Sequence, residues 1–238
     1  MIARRRIMFD NINNFRDLGG YPIKGGGFTK FGRLYRCGIP RDPSECDMKT
    51  IAQLGVKEVI DLRGDGEAQM TPSVFRDPAH GIDYAQLSLL EINPASTNSD
   101  KSLADVYLES VEEYKENYAK VFRFLADSEG PTVFHCFLGK DRTGIVASIL
   151  LYLAEVPMED IIADYQVSGT YLEAFYQREN ANNSDLIWEG DDDHLYSRPE
   201  NLLKLYEHFE EKYSGPIGYL KSIGLAEGEI EKLSKILL

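Results

Sequence analysis

Cysteine, histidine, tryptophan and positive charge are all scarce in this chain of 238 residues. It has three cysteines, four histidines and one tryptophan. An odd cysteine count without paired, metal-like spacing excludes a disulfide framework and fits a reducing compartment. Cys37 and Cys46 read as buried free thiols rather than as a bridge. No apolar run is long enough to span a membrane. Arg4, Arg5 and Arg6 lead into Phe9-Asp10-Asn11 instead of an apolar stretch, so no secretory signal is visible and a cytoplasmic protein is expected. No segment repeats. The length suits one domain over 1–238 with a proper core, behind a flexible start at 1–9. Against 39 acidic residues stand only 26 Lys and Arg, a net charge of −13. That balance excludes a general binder of nucleic acid or anionic membrane, and any attraction for phosphate has to be local. Asp191-Asp192-Asp193 reads as a solvated loop rather than a metal site.

Residues 135–144 read His-Cys-Phe-Leu-Gly-Lys-Asp-Arg-Thr-Gly. The run Pro131 to Phe134 before them suits a short buried strand, and Ile145 to Leu153 after them suits a buried helix. A strand-to-helix turn aims several backbone N–H groups and the positive end of a helix dipole at one point, where an oxyanion or a thiolate can sit. A cysteine at such a mouth has its pKa lowered from about 8.5 to between roughly 3.5 and 7.5. Five residues, Phe137 to Asp141, separate Cys136 from Arg142. A sulfurtransferase loop of the rhodanese type has four and closes a smaller ring. A nucleotide-binding loop needs Gly-Lys followed by Ser or Thr, but Gly139-Lys140 is followed by Asp141, and Phe134 stands where its first glycine belongs. A phosphate cradle with a nucleophile at its base remains.

This loop resembles the signature of the cysteine-dependent protein tyrosine phosphatase superfamily. Its Gly-Lys-Asp-Arg-Thr-Gly ending is similar to that of the bacterial tyrosine and phosphoinositide phosphatases. Asn14 to Tyr21 (Asn-Phe-Arg-Asp-Leu-Gly-Gly-Tyr), Gly32 to Gly38 and Val59 to Arg63 also match that family, as do the closing stretches from Gly218 to Leu238. The resemblance runs from about Phe9 to the end. Two positions depart from it: Cys37 stands where serine is more usual, and Leu138 where a small residue is usual.

The rest of the chain alternates. Asp17 to Tyr35 reads as short strands with tight turns, Asp47 to Leu54 as a helix stopped by Gly55, and Val56 to Leu62 and Ile82 to Leu87 as strands. Glu91 to Ser102 reads as loop, and apolar residues from Leu103 to Leu125 recur at helical spacing. A further helix begins near Met158. This alternation argues for an α/β fold with a largely parallel central sheet flanked by helices, like that of a protein tyrosine phosphatase. Its ligand would lie beyond the carboxyl ends of the strands, where Cys136 and Arg63 both fall. Thr170 to Pro199 reads as irregular, and the resemblance makes it either a lid or a surface excursion.

The resemblance implies roles. Cys136 attacks phosphorus, giving a cysteinyl-phosphate. Arg142 grips two oxygens through its planar fork, and the N–H groups of Phe137, Leu138, Gly139, Lys140, Asp141 and Arg142 complete the cradle. Thr143 is placed to stabilise the leaving thiolate, and His135 to orient the loop. No metal and no cofactor is required. The general acid is expected at Asp141, with helix capping as its alternative role and Asp65, Asp100 and Asp105 in reserve. Phosphotyrosine is the leading substrate, with Phe137 and Leu138 walling its slot. A phosphoinositide follows, with Lys140 as an added cation. A phosphate-binding module without turnover is the reading from another class, and it has no need of a thiol.

Overall fold

The computed structural model describes residues 4–90, 101–182 and 195–238. Five short strands, β1 (Arg16–Asp17), β2 (Leu34–Cys37), β3 (Glu58–Asp61), β4 (Asp83–Gln86) and β5 (Thr132–His135), make one sheet in the order β1-β2-β5-β3-β4. Strands β2, β5, β3 and β4 run parallel, and β1 is an antiparallel edge. Side chains alternate between faces with a period of two. Tyr35, Val59 and Val133 therefore pack on one face with Ile51, while Leu34, Ile60 and Phe134 pack on the other with Ile145 and Ile149. Both faces are apolar, as a covered parallel sheet requires.

Nine helices surround the sheet among the described residues: α1 (Glu45–Leu54), α2 (Asp65–Met70), α3 (Leu103–Glu113), α4 (Lys115–Asp127), α5 (Arg142–Leu153), α6 (Met158–Asn182), α7 (Pro199–Tyr213), α8 (Pro216–Ser222) and α9 (Glu227–Lys235). Helix α1 starts earlier than its apolar pattern suggests, because Ser44 and Asp47 exchange capping bonds there. It stops at Gly55, whose φ of 67° is left-handed, a conformation glycine adopts without strain.

The structure departs from the sequence reading in several places. The helical pattern from Leu103 to Leu125 is two helices broken at Tyr114, and around the break Ser110 and Asn117 bond the carbonyls of Leu89 and Ser88. Thr170 to Asn182 are not irregular: they continue α6, and 183–194, with Trp188 and the three aspartates, lie outside the described residues. Residues 1–9, expected to be flexible, are tied down from Arg5 onward. The Arg5 carbonyl accepts from Asp17, the Arg5 guanidinium lies 4.3 Å from the Tyr21 ring centroid, and Ile7 bonds Phe15. Cys37 is buried, but Cys46 is exposed on α1. No described helix is long and apolar enough to cross a membrane.

Candidate active site

The parallel register sets Cys37 and Asp61 on either side of His135, so the ends of three strands meet where the chain leaves β5. Cys136 is the next residue and is buried. The chain then turns through 137–141 and enters α5 at Arg142. The turn is tight against β2. Gly139 has φ of 68°, and a Cβ there would sit 2.1 Å from the Cys37 carbonyl oxygen, so only glycine fits.

Every carbonyl from Phe137 to Lys140 is taken from behind. Phe137 accepts from the Ile39 N–H at 2.9 Å. Asn14 Nδ2 reaches the carbonyls of Leu138 and Gly139, each at 3.0 Å. Arg36 Nη2 reaches those of Gly139 at 2.8 Å and Lys140 at 3.2 Å. The N–H groups of Phe137, Leu138 and Gly139 donate to no described residue. Carbonyls bound on one side leave donors for the other.

Arg142 lies against α2. Its Nη1 and Nη2 donate to Glu67 Oε2 and Oε1 at 2.5 and 2.9 Å. Burial works against the guanidinium charge, but Glu67 outweighs it and holds Arg142 above its ordinary range. Asp141 stands at the N-cap of α5, yet its side chain makes no capping bond. It accepts instead from Tyr107 Oη at 2.5 Å, and Tyr107 in turn contacts Tyr165 Oη at 2.7 Å. The capping alternative for Asp141 therefore lacks its hydrogen bond.

Lys140 is fully buried, its ammonium 3.5 Å from Asp141 Oδ1. His135 Nδ1 lies 3.1 Å from the Cys136 carbonyl and 3.8 Å from Asp61 Oδ1. Burial pushes the imidazole below its usual range, against the pull of Asp61. A carbonyl only accepts, so the ring proton belongs on Nδ1. Thr143 is buried, and its hydroxyl meets no hydrogen-bond partner among the described residues. Leu138 packs against Leu172, Tyr176 and Leu195, so the bulky residue noted in the sequence seats the loop on α6. Phe137, Leu138, Ile39, Arg41, Phe175 and Arg178 border a cleft of ≈ 260 Å³ beside the loop.

Arg63 falls near Cys136 but is closed off, with Asp61 and Thr71 binding its guanidinium. Among the reserve acids, exposed Asp65 accepts from Gln86 and half-buried Asp105 from Lys204 and Ser102, while Asp100 lies outside the described residues. Sequence reading gave no role to Glu67, Tyr107, Asn14, Arg36 or Asp164. Only the motifs around 14–21 and 32–38 marked two of them. Among the described residues no three His, Cys, Asp or Glu side chains gather as a metal site would require.

The sequence model of the tyrosine phosphatase family matches residues 7–238. The chain belongs to that family. It is thus a cysteine-dependent phosphatase. Its relatives include a tyrosine-protein phosphatase of Nostoc commune, 34% identical over 206 residues, 80% of this chain and 69% of that protein. A candidate tyrosine-protein phosphatase of Cupriavidus necator is 35% identical over 70% of this chain, which spans only 64% of that protein's length. The triple specificity protein phosphatase PtpB of Mycobacterium tuberculosis is 25% identical over 94% of this chain and 96% of its own.

Proposed function

We propose that this tyrosine phosphatase family member hydrolyses phosphotyrosine in proteins through a cysteinyl-phosphate formed on Cys136. One observation carries the reading. The loop beyond β5 has its carbonyls bound from behind, unengaged N–H groups at Phe137 to Gly139, a cysteine at its base and an arginine fork at its end. A dianionic phosphoryl group seated there meets oriented N–H donors and the N-terminus of α5. Cys136 attacks in line and the tyrosyl oxygen departs, taking its proton from Asp141, whose position Tyr107 fixes. Water then attacks phosphorus, Asp141 accepts its proton, and the Thr143 hydroxyl, which has no other partner among the described residues, stabilises the departing thiolate. Arg142 exchanges Glu67 for phosphoryl oxygens as charge develops on them. His135 holds the Cys136 carbonyl and does not titrate in turnover.

Phosphotyrosine is favoured over a phosphoinositide because Lys140, the added cation of the phosphoinositide reading, is buried beside Asp141 and not presented at the surface. Phe137, Leu138 and Phe175 give the cleft beside the loop an apolar side that suits an aromatic ring, facing Arg41, Asp42, Arg178 and Glu179. The same reading has one phosphatase domain across 1–238, working in the cytoplasm. Cys136→Ser is expected to retain inorganic phosphate binding and to lose more than about a hundredfold in turnover of para-nitrophenyl phosphate, about 2.7 kcal/mol of barrier. Activity above that level would end the cysteine assignment. Phosphotyrosine peptides, phosphoserine peptides and phosphoinositides assayed in one buffer test the substrate, and a faster phosphoinositide would overturn the phosphotyrosine reading.

A further inference from the structure

Asn14, Arg16 and Arg36 come from the two N-terminal motifs, and Asp164 comes from α6. All four are buried, and none lines the cleft beside the loop. Arg16 Nε donates to Asp164 Oδ1 at 2.7 Å, and Arg36 Nη1 to Asp164 Oδ2 at 2.6 Å. Tyr21 Oη adds a bond to Oδ1 at 2.9 Å, and Ser168 accepts from Arg16 Nη2 at 2.9 Å. One carboxylate thus sets the direction of two guanidinium groups. Each then acts on the loop. Arg36 reaches Gly139 and Lys140 directly. Arg16 acts through Asn14, donating to its Oδ1 at 2.5 Å and to its carbonyl at 3.2 Å. Because Oδ1 is bound to a donor, the Nδ2 end of the amide has to face Leu138 and Gly139. Asn14 holds this pose at φ of 57°, which asparagine tolerates better than most residues.

We propose that Asn14, Arg16, Arg36 and Asp164 form a clamp that presets the phosphate loop, with Asp164 positioning the loop through the two arginines. This rests on reading 136–142 as the phosphate loop. A planar trans peptide points its N–H opposite to its C=O. Holding the carbonyls of 138, 139 and 140 on Asn14 and Arg36 therefore turns the N–H groups of the following residues the other way. Two guanidinium charges face one carboxylate, and the excess positive charge meets the carbonyl ends of the loop dipoles. The N–H ends are left for the anion. A loop set this way needs no reorganisation when phosphate arrives, which is where electrostatic catalysis gains most. Tyr165, next to Asp164, contacts Tyr107 and thereby Asp141, so one turn of α6 supports both the cradle and the acid.

The test uses the full chain with Asn14→Asp, which keeps the shape and the tolerance of positive φ but turns an oxygen toward two carbonyls. Asn14→Gly removes the amide with no strain at φ of 57°. Asn14→Ser keeps one short donor and serves if neither of the others folds. Turnover of para-nitrophenyl phosphate and equilibrium titration with orthovanadate are measured well below each variant's melting temperature. Asn14→Asp is expected to lose at least tenfold in kcat/KM and a comparable factor in orthovanadate affinity, with Asn14→Gly losing less. A role confined to stability would lower melting and leave both quantities alone. A folded Asn14→Asp within twofold of the parent on both overturns the clamp. Failure of the parent to bind orthovanadate, or turnover by Cys136→Ser, would instead remove the loop reading itself.

Discussion

Arg63 and Arg142 each place two arms of a guanidinium on one carboxylate at the same end of the sheet, yet they are built for different ends. Arg63 follows β3, and its partner Asp61 is two residues away. Thr71 takes the remaining arm through its carbonyl and hydroxyl at 2.8 and 3.0 Å, and both side chains of the pair have no exposure. Arg142 opens α5, and its partner Glu67 comes from α2, 75 residues away, with 12% of its side chain exposed. The first pair is closed, local and complete. The second joins two elements, and the proposed mechanism exchanges its partner for phosphoryl oxygens. The two pairs differ in the reach of the partner and in its exposure, not in residue type or ion pairing.

The sharpest test of that contrast removes each arginine's fork. Arg142→Lys should lower kcat by on the order of 10²–10³ with little change in melting, because a point charge cannot bridge two transferring oxygens. Arg63→Met leaves Asp61 buried without its guanidinium, with Tyr84 and the backbone N–H as remaining donors, so urea denaturation should report a loss of about 3 kcal/mol. The folded fraction should keep kcat within about threefold. If the two variants exchanged these signatures, the distinction would collapse.

Asp141→Asn comes next in size. It should slow phosphotyrosine far more than an activated nitrophenyl ester and flatten the basic limb of the pH–rate profile. A plot of log kcat/KM against leaving-group pKa should be steeper in the variant, and parallel lines would transfer the acid role to another group. Tyr107→Phe removes the 2.5 Å bond to Asp141 and should steepen the same plot by a smaller amount. Glu67→Gln sharpens the comparison from the partner's side. It retains one acceptor for Arg142, and kcat/KM should fall about tenfold, equivalent to about 1.4 kcal/mol. Unchanged kinetics would mean that Arg142 needs no orienting carboxylate.

The smallest effect is on stability against pH. For Asp61, burial favours the neutral acid, but His135, Arg63 and Tyr84 outweigh it and lower the carboxyl from 3.8 to about 2. Its contribution is present above about pH 4 and is lost as pH falls toward 2. Burial raises Asp17 from 3.8 to about 6, against bonds from Gly32 and Gly19. The folded chain then binds the Asp17 proton more tightly than the unfolded chain, so its ionisation lowers stability as pH rises from about 4 to 6. Relative to Asp17→Asn, the parent's urea midpoint should climb as pH falls from 6 to 4, and relative to Asp61→Asn it should drop below that. Asp17→Asn should flatten the first limb and Asp61→Asn the second.

How far the sequence could be read follows from the reach of each interaction. Strand β5, the turn after it and α5 were legible, because apolar runs, a glycine and an arginine at fixed spacing act within a few residues. Gly55 ended α1 for the same local reason. The break at Tyr114 was not legible, because the bonds of Ser110 and Asn117 to Leu89 and Ser88 depend on the sheet edge being there. Nor was the continuation of α6 to Asn182, whose polar stretch carries Leu172 and Tyr176 against Leu138 and is helical because of that packing.

At the site the division is the same. Cys136, Arg142, Thr143 and the turn that carries them follow from ten consecutive residues, because a nucleophile, a cradle of N–H groups and a helix N-terminus can all be written into one strand-turn-helix. The residues around them come from far away in the chain: Glu67 across 75 residues, Tyr107 across 34, Asn14 across 124 and 125, and Arg36 across 103 and 104. Side-chain periodicity carries no information at those separations. Only folding the sheet with β2 beside β5 and packing α6 beneath the loop decided which buried arginine binds backbone, which binds a core carboxylate, and which pairs with Glu67 at the start of α5.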